Sequence, residues 1–208
     1  DHCVTGVQTC ALPISAFRVK LRIGFGSTTE NALVNDDGST SNPPATVTDT
    51  KKSSNNNFVI GAGLQKSRGK GRLHGIYGAE IGIGLGGSKD TYTYGNAFTS
   101  SHPAPTSHDF GSNISGSSRT TENKNGSTFS LGLDGFIGAE YFFAPKMSLS
   151  GEYAWGLMMS STGEGEKTSE SLNSNGDGGT KTTTKTGKSS SFGLDVTNIG
   201  SITLHFYF

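Results

Sequence analysis

Residues 128–143, TFSLGLDGFIGAEYFF, put Phe129, Leu131, Leu133, Gly135, Ile137, Ala139, Tyr141 and Phe143 at alternate positions. Ser130, Gly132, Asp134, Phe136, Gly138, Glu140 and Phe142 fall between them. A period of two sustained this long is an extended strand with two unlike faces. Five more runs share it: 16–28, 56–66, 73–86, 147–158 and 190–208, the last keeping one phase through Phe192, Leu194, Val196, Ile202, Leu204, Phe206 and Phe208. The runs are roughly 11–19 residues long, whereas ordinary strands average about 5–6. Strands that cross a bilayer need about 9–11. Six such runs predict an all-β chain, an antiparallel up-and-down barrel with tall walls.

The spacing between runs points the same way. Residues 29–55, 87–127 and 159–189 are long and rich in Ser, Thr, Asn and Gly, whereas 67–72 and 144–146 are short. Strict alternation of long and short connections is the habit of transmembrane barrels, whose turns are short on one side and long on the other. The long connections should therefore gather at one rim and the short ones at the other.

Each run has one apolar face without mid-strand charges, and a second face of Gly, Ser and isolated ionised groups. That second face holds Arg18, Lys20 and Arg22 in the first run, and Glu80, Asp134, Glu140, Glu152 and Asp195 in later ones. A charge facing lipid near the midplane costs about 2–4 kcal/mol, less for acids, so the charge-free face is assigned to lipid. The charged face is assigned to a narrow lumen, where opposite charges should pair, because an unpaired buried charge is costly. Aromatics near run ends, Phe58, Tyr141, Phe143, Phe206 and Phe208, fit interfacial girdles; Trp155 fits either a girdle or mid-wall.

Only 31% of the chain is hydrophobic and 16% is charged. Spread evenly, that composition would suggest disorder; concentrated in alternating runs, it suggests a barrel. The formal net charge is zero, which gives nucleic acid no basic face to bind.

Residues 1–15 do not alternate and hold both cysteines, Cys3 and Cys10. The stretch VTGVQTCALPI, residues 4–14, resembles the translation of a common short-read sequencing adapter. On that reading 1–15 is not native, the barrel occupies 16–208, and no disulfide or Cys-based site is inferred. The alternative is a genuine extension closed by a Cys3–Cys10 disulfide.

The closing SITLHFYF and the segment GAEYFFAPKMSLSGEYAWG, residues 138–156, resemble the small porin-like outer-membrane β-barrel family. The resemblance implies the outer membrane of a Gram-negative bacterium. It also implies assembly by the barrel-insertion machinery, with Ile202, Leu204, Phe206 and the terminal Phe208 as the signal. That family has eight strands and six are visible, so one hairpin is expected to be missing ahead of 16–28. No substrate is implied.

His102, His108 and Asp109 could hold a metal ion, but their spacing matches no rigid motif. His74 and His205 face inward and read as lumen filling. GIGLGG, residues 82–87, resembles a nucleotide loop, but no helix follows to bind phosphate. Residues 173–190 read as a solvated, mobile loop. No catalytic set, cofactor site or metal site is therefore expected. The functional expectation is a structural or surface-interaction barrel with a plugged polar lumen and an unknown extracellular partner. The alternatives are a narrow pore for small solutes and a membrane-embedded enzyme.

Overall fold

A computed structural model describes residues 14–176, 178–195 and 200–206, with Ile14 and Asp195 described by their backbone only. Residues 1–13, Val196 and Phe208 lie outside the described residues, as does the side chain of Asp195. The chain is all-β and antiparallel, curled into a half-barrel.

Among the described residues ten strands form in chain order: β1 (Ile14–Asn35), β2 (Thr46–Lys70), β3 (Leu73–Thr93), β4 (Ser118–Lys124), β5 (Thr128–Ala144), β6 (Met147–Thr162), β7 (Gly165–Leu172), β8 (Gly179–Thr186), β9 (Ser189–Asp195) and β10 (Ser201–Phe206). They make six staves. β4 continues into β5 and β6 into β7, and β8, β9 and β10 follow one another along the last stave. The pairings show this. The β5–β6 ladder ends at Thr128↔Thr162 and the β4–β7 ladder resumes in the same register at Lys124↔Glu166. Likewise β6–β9 ends at Thr162↔Ser189 and β7–β8 resumes at Gly165↔Thr186. Each stave pairs with its neighbours in sequence, so the topology is up-and-down. Ile14 and Ser15 already belong to β1, opposite Ser67 and Lys66.

The staves are longer than the alternating runs. β1 and β2 stay paired as far as Asn35↔Thr46, so most of 29–55 is strand. The expectation of long loops is corrected there, and also at 87–127 and 159–189, which supply the top of β3, all of β4, and β7 and β8. The segment 173–190 is not one solvated loop either: it contains β8 and the start of β9. These upper halves are rich in Thr, whose β-branched side chain suits a pleated backbone, but they carry no apolar period to reveal it. The last run keeps its expected phase on both sides of residues 196–199, which lie outside the described residues. Asp195 pairs with Gly156 and Ser201 with Glu152, so the register moves by two residues between β9 and β10. An even shift keeps the same side chains on the same face.

The lower turns are tight, and Gly71 takes φ +71° in one of them, a conformation that glycine adopts without a steric penalty. The upper turns 36–45 and 94–117 fold onto each other, and Gly176 of the third faces Ser100, whose Cβ lies 3.5 Å from where a methyl carbon on Gly176 would stand. Asp37 N–H donates to Asn96 Oδ1 (3.1 Å), Thr106 N–H donates to Asp37 Oδ2 (2.7 Å), and Asn35 N–H donates to Asn113 Oδ1 (2.8 Å). The three long connections therefore share one rim, where they form a cap. The cap has its own small core: Val34 and Phe98 are buried, as are Asp49 and Arg119.

Candidate functional site

The register places the expected charges in rows. Arg18 lies opposite Gly63, Gly63 opposite Glu80, Glu80 opposite Asp134, Asp134 opposite Gly156, and Gly156 opposite Asp195. One row crossing all six staves thus holds one base and three acids. Directly opposed Glu80 and Asp134 repel unless compensated.

Compensation comes across the concave face. Arg18 donates through both Nη1 and Nη2 to Glu152 Oε2, each at 2.9 Å. β1 and β6 are four staves apart, about 19 Å in a flat sheet, so this pair requires the curl. The Arg18 guanidinium also lies 4.3 Å from the centre of the Phe136 ring. Lys20 forms an ion pair with Glu80, and reaches it over Gly61 and Gly63, which place no side chain in the way. At Gly63 even a methyl carbon would come 2.7 Å from Glu80 Cβ. Among the described residues Arg22 forms no ion pair. Glu140 is buried at the lower end and accepts a hydrogen bond from the Ser148 hydroxyl.

Above the charged row comes a nearly empty one. Lys20, Gly61, Gly82, Gly132, Met158 and Gly193 follow one another across the staves. Four glycines leave room, and a cavity of about 540 Å³ opens here between Lys20, Arg22, Glu80 and Asp134. Below it the face closes. Phe136 and Ile76 are buried, and the Phe136 ring lies over Gly78, where a methyl group would come within 2.5 Å of it. At the lower end Ser67 Oγ lies 3.2 Å from His74 Nδ1 and Ser150 Oγ lies 2.8 Å from His205 Nε2. Both histidines fill the lower mouth and bond to serines.

His102 and His108 do not meet. His108 Nδ1 lies 2.7 Å from the Ser118 carbonyl and His102 Nδ1 lies 3.2 Å from Ser101 Oγ. No three metal-ligating side chains cluster among the described residues. Of the expected terminal signal, Ile202, Leu204 and Phe206 all point outward and are exposed.

Two features escaped the sequence reading. One is the ionic centre of the cap, where Arg119 Nε donates to Glu170 Oε1 (2.7 Å) and Nη2 donates to the Asn96 carbonyl (2.6 Å). The guanidinium also stacks on Tyr94 and Phe98, 4.2 and 4.9 Å from their ring centres. Asp49 accepts the Gly95 N–H (3.0 Å). Burial pushes the Tyr94 phenol up to about 12, against the opposing pull of Arg119. Tyr92, Tyr94 and Phe98 within a polar tract were the available signal. The other feature is a groove on the convex face, lined by Phe25, Phe58, Leu85, Lys89 and Lys124. Its signal was the phase of the wall continued past the last apolar residue.

No family model matches the chain, and no curated protein or solved structure matches it.

Proposed function

We propose that this chain is the wall of an outer-membrane β-barrel of a Gram-negative bacterium, with a plugged polar lumen and a folded cap presented outside the cell. Its role on this reading is structural or surface interaction, not catalysis. One observation carries the reading: a continuous apolar band covers the convex face. Phe17, Leu21, Ile60, Leu64, Ile81, Leu133, Ile137, Leu157 and Leu204 all point outward and are exposed. A soluble protein rarely exposes a contiguous patch beyond a few hundred Å²; a barrel wall in lipid requires one. Within the height of this band the charged side chains Arg18, Lys20, Glu80 and Glu152 turn inward, the reverse of a water-soluble barrel.

The lower third of the lumen argues against a pore. Arg18–Glu152, Phe136, Ile76, Glu140, Ser148 and the two histidines occupy it, in keeping with small barrels filled by side chains. Assembly would use the insertion machinery through the last stave, as the resemblance of its closing residues implies.

Trp155 provides the test, because it is the chain's only tryptophan. It sits on the outward face beside Tyr153, ring centres 5.8 Å apart. Reconstituted in liposomes, the protein should show blue-shifted emission that lipids brominated on their acyl chains quench and aqueous iodide does not. Quenching by iodide alone would overturn the membrane reading. Steady open-channel currents in a planar bilayer would overturn the plug.

A further inference from the structure

The convex face should bulge, yet where the apolar band ends it carries a groove of about 680 Å³. The groove has a local cause. The β3–β5 ladder stops at Gly86↔Thr128 and pairing resumes with β4 at Lys89↔Lys124. Asn125 spans the break, its N–H donating to the Ser88 carbonyl (3.0 Å) and its Nδ2 donating to Ser88 Oγ (2.8 Å). Gly87 places no side chain over the gap.

Its two walls differ in chemistry. The lower wall continues the apolar band with Ile23, Phe25, Phe58 and Leu85. The upper wall carries Asn56, Lys89 and Lys124, and no carboxylate lines the groove. Lys89 and Lys124 are directly opposed, an arrangement that repels without a counter-charge. Glu122 pairs with Lys89 at 2.9 Å from above. Glu166 lies opposite Lys124 on β7 but forms no ion pair with it. An anion on the groove side would answer both ammonium groups at once.

From this we infer that the groove is a binding site for a phosphate-bearing lipid. Its acyl chain lies along Ile23, Phe25, Phe58 and Leu85, and its phosphate lies between Lys89 and Lys124. Charge complementarity selects the headgroup, and continuity with the apolar band selects a lipid over a soluble anion. The inference rests on the membrane reading above, since the lipid must lie beside the wall. Glu122 competes with the phosphate for Lys89.

The test measures lipids retained on the detergent-solubilised protein by native mass spectrometry. Phosphatidic acid and phosphatidylcholine with identical chains are offered in equal amounts. Two lysines beside an anionic headgroup should favour phosphatidic acid by about tenfold or more. Lys89→Gln with Lys124→Gln should erase the preference, Lys89→Arg with Lys124→Arg should keep it, and Glu122→Gln should increase it. All of these side chains are at the surface, and unchanged far-ultraviolet circular dichroism verifies each fold. Equal retention of the two lipids by the parent protein would overturn the inference, as would a preference surviving the double Gln variant. Displacement of phosphatidic acid by millimolar inorganic phosphate would also overturn it, showing an anion site with no use for the chain. A protein that stays in water without detergent would instead defeat the membrane reading itself.

Discussion

At the scale of single residues, the cap gathers polar groups around Tyr94 and Arg119. Tyr94 is held by three partners: its hydroxyl donates to the Thr120 carbonyl at 2.6 Å, its ring lies under Arg119, and Tyr92 stacks beside it. A phenol whose folded pKa is raised binds its proton more tightly in the folded state than in the unfolded one. The stability it contributes is therefore whole below the unfolded value near 10 and is lost as pH climbs through about 12. The cap should loosen in that window. Protease cleavage within 94–117 should rise between pH 10 and 12, alongside a late step in tyrosinate absorbance. Tyr94→Phe should abolish the late step and move the cleavage threshold. A tyrosinate titration unchanged by that variant would disprove the assignment.

At the scale of elements, Ile81 and Leu133 face each other on β3 and β5, both pointing outward. Leu133→Arg separates water from lipid as the medium beyond them. In lipid it should cost about 2–4 kcal/mol, read from denaturant unfolding in liposomes. On a water-exposed wall the same change should fall within about 0.5 kcal/mol. The lower halves of the staves were legible in the sequence because their two faces differ in polarity. Phe129 to Phe143 announced β5 by period alone. The upper halves were not, because GTKTTTKT in β8 is exposed on both faces and nothing there alternates. Arg18–Glu152 and Lys20–Glu80 were foreseeable as inward charges of opposite sign, but their choice of partner depends on register and curl. Arg119–Glu170 was hidden for a different reason: each residue sits in a polar tract and only the folded cap buries them.

For the molecule as a whole, the sheet has two edges. Among the described residues, β1 pairs only with β2, and β9 and β10 pair only with β6. On the membrane reading proposed above, each unpaired backbone group in lipid costs several kcal/mol, so that reading requires something to cover these edges. The chain alone should give no heat-modifiable band on a denaturing gel, and addition of one more hairpin should restore it. If the chain alone showed that band and resisted protease, six staves would suffice. The same wall is uneven along its height. β1, β2 and β3 run unbroken from the lower turns into the cap, whereas the other three staves are interrupted at 125–127, 163–164 and 187–188. Those interruptions lie side by side, so the wall is a plate creased across half its width. A pull or a blow on the cap is carried down the uncreased side, and the compliant direction is across the crease. A force on the cap therefore tilts it toward the creased side, while β1, β2 and β3 carry the load into the wall below.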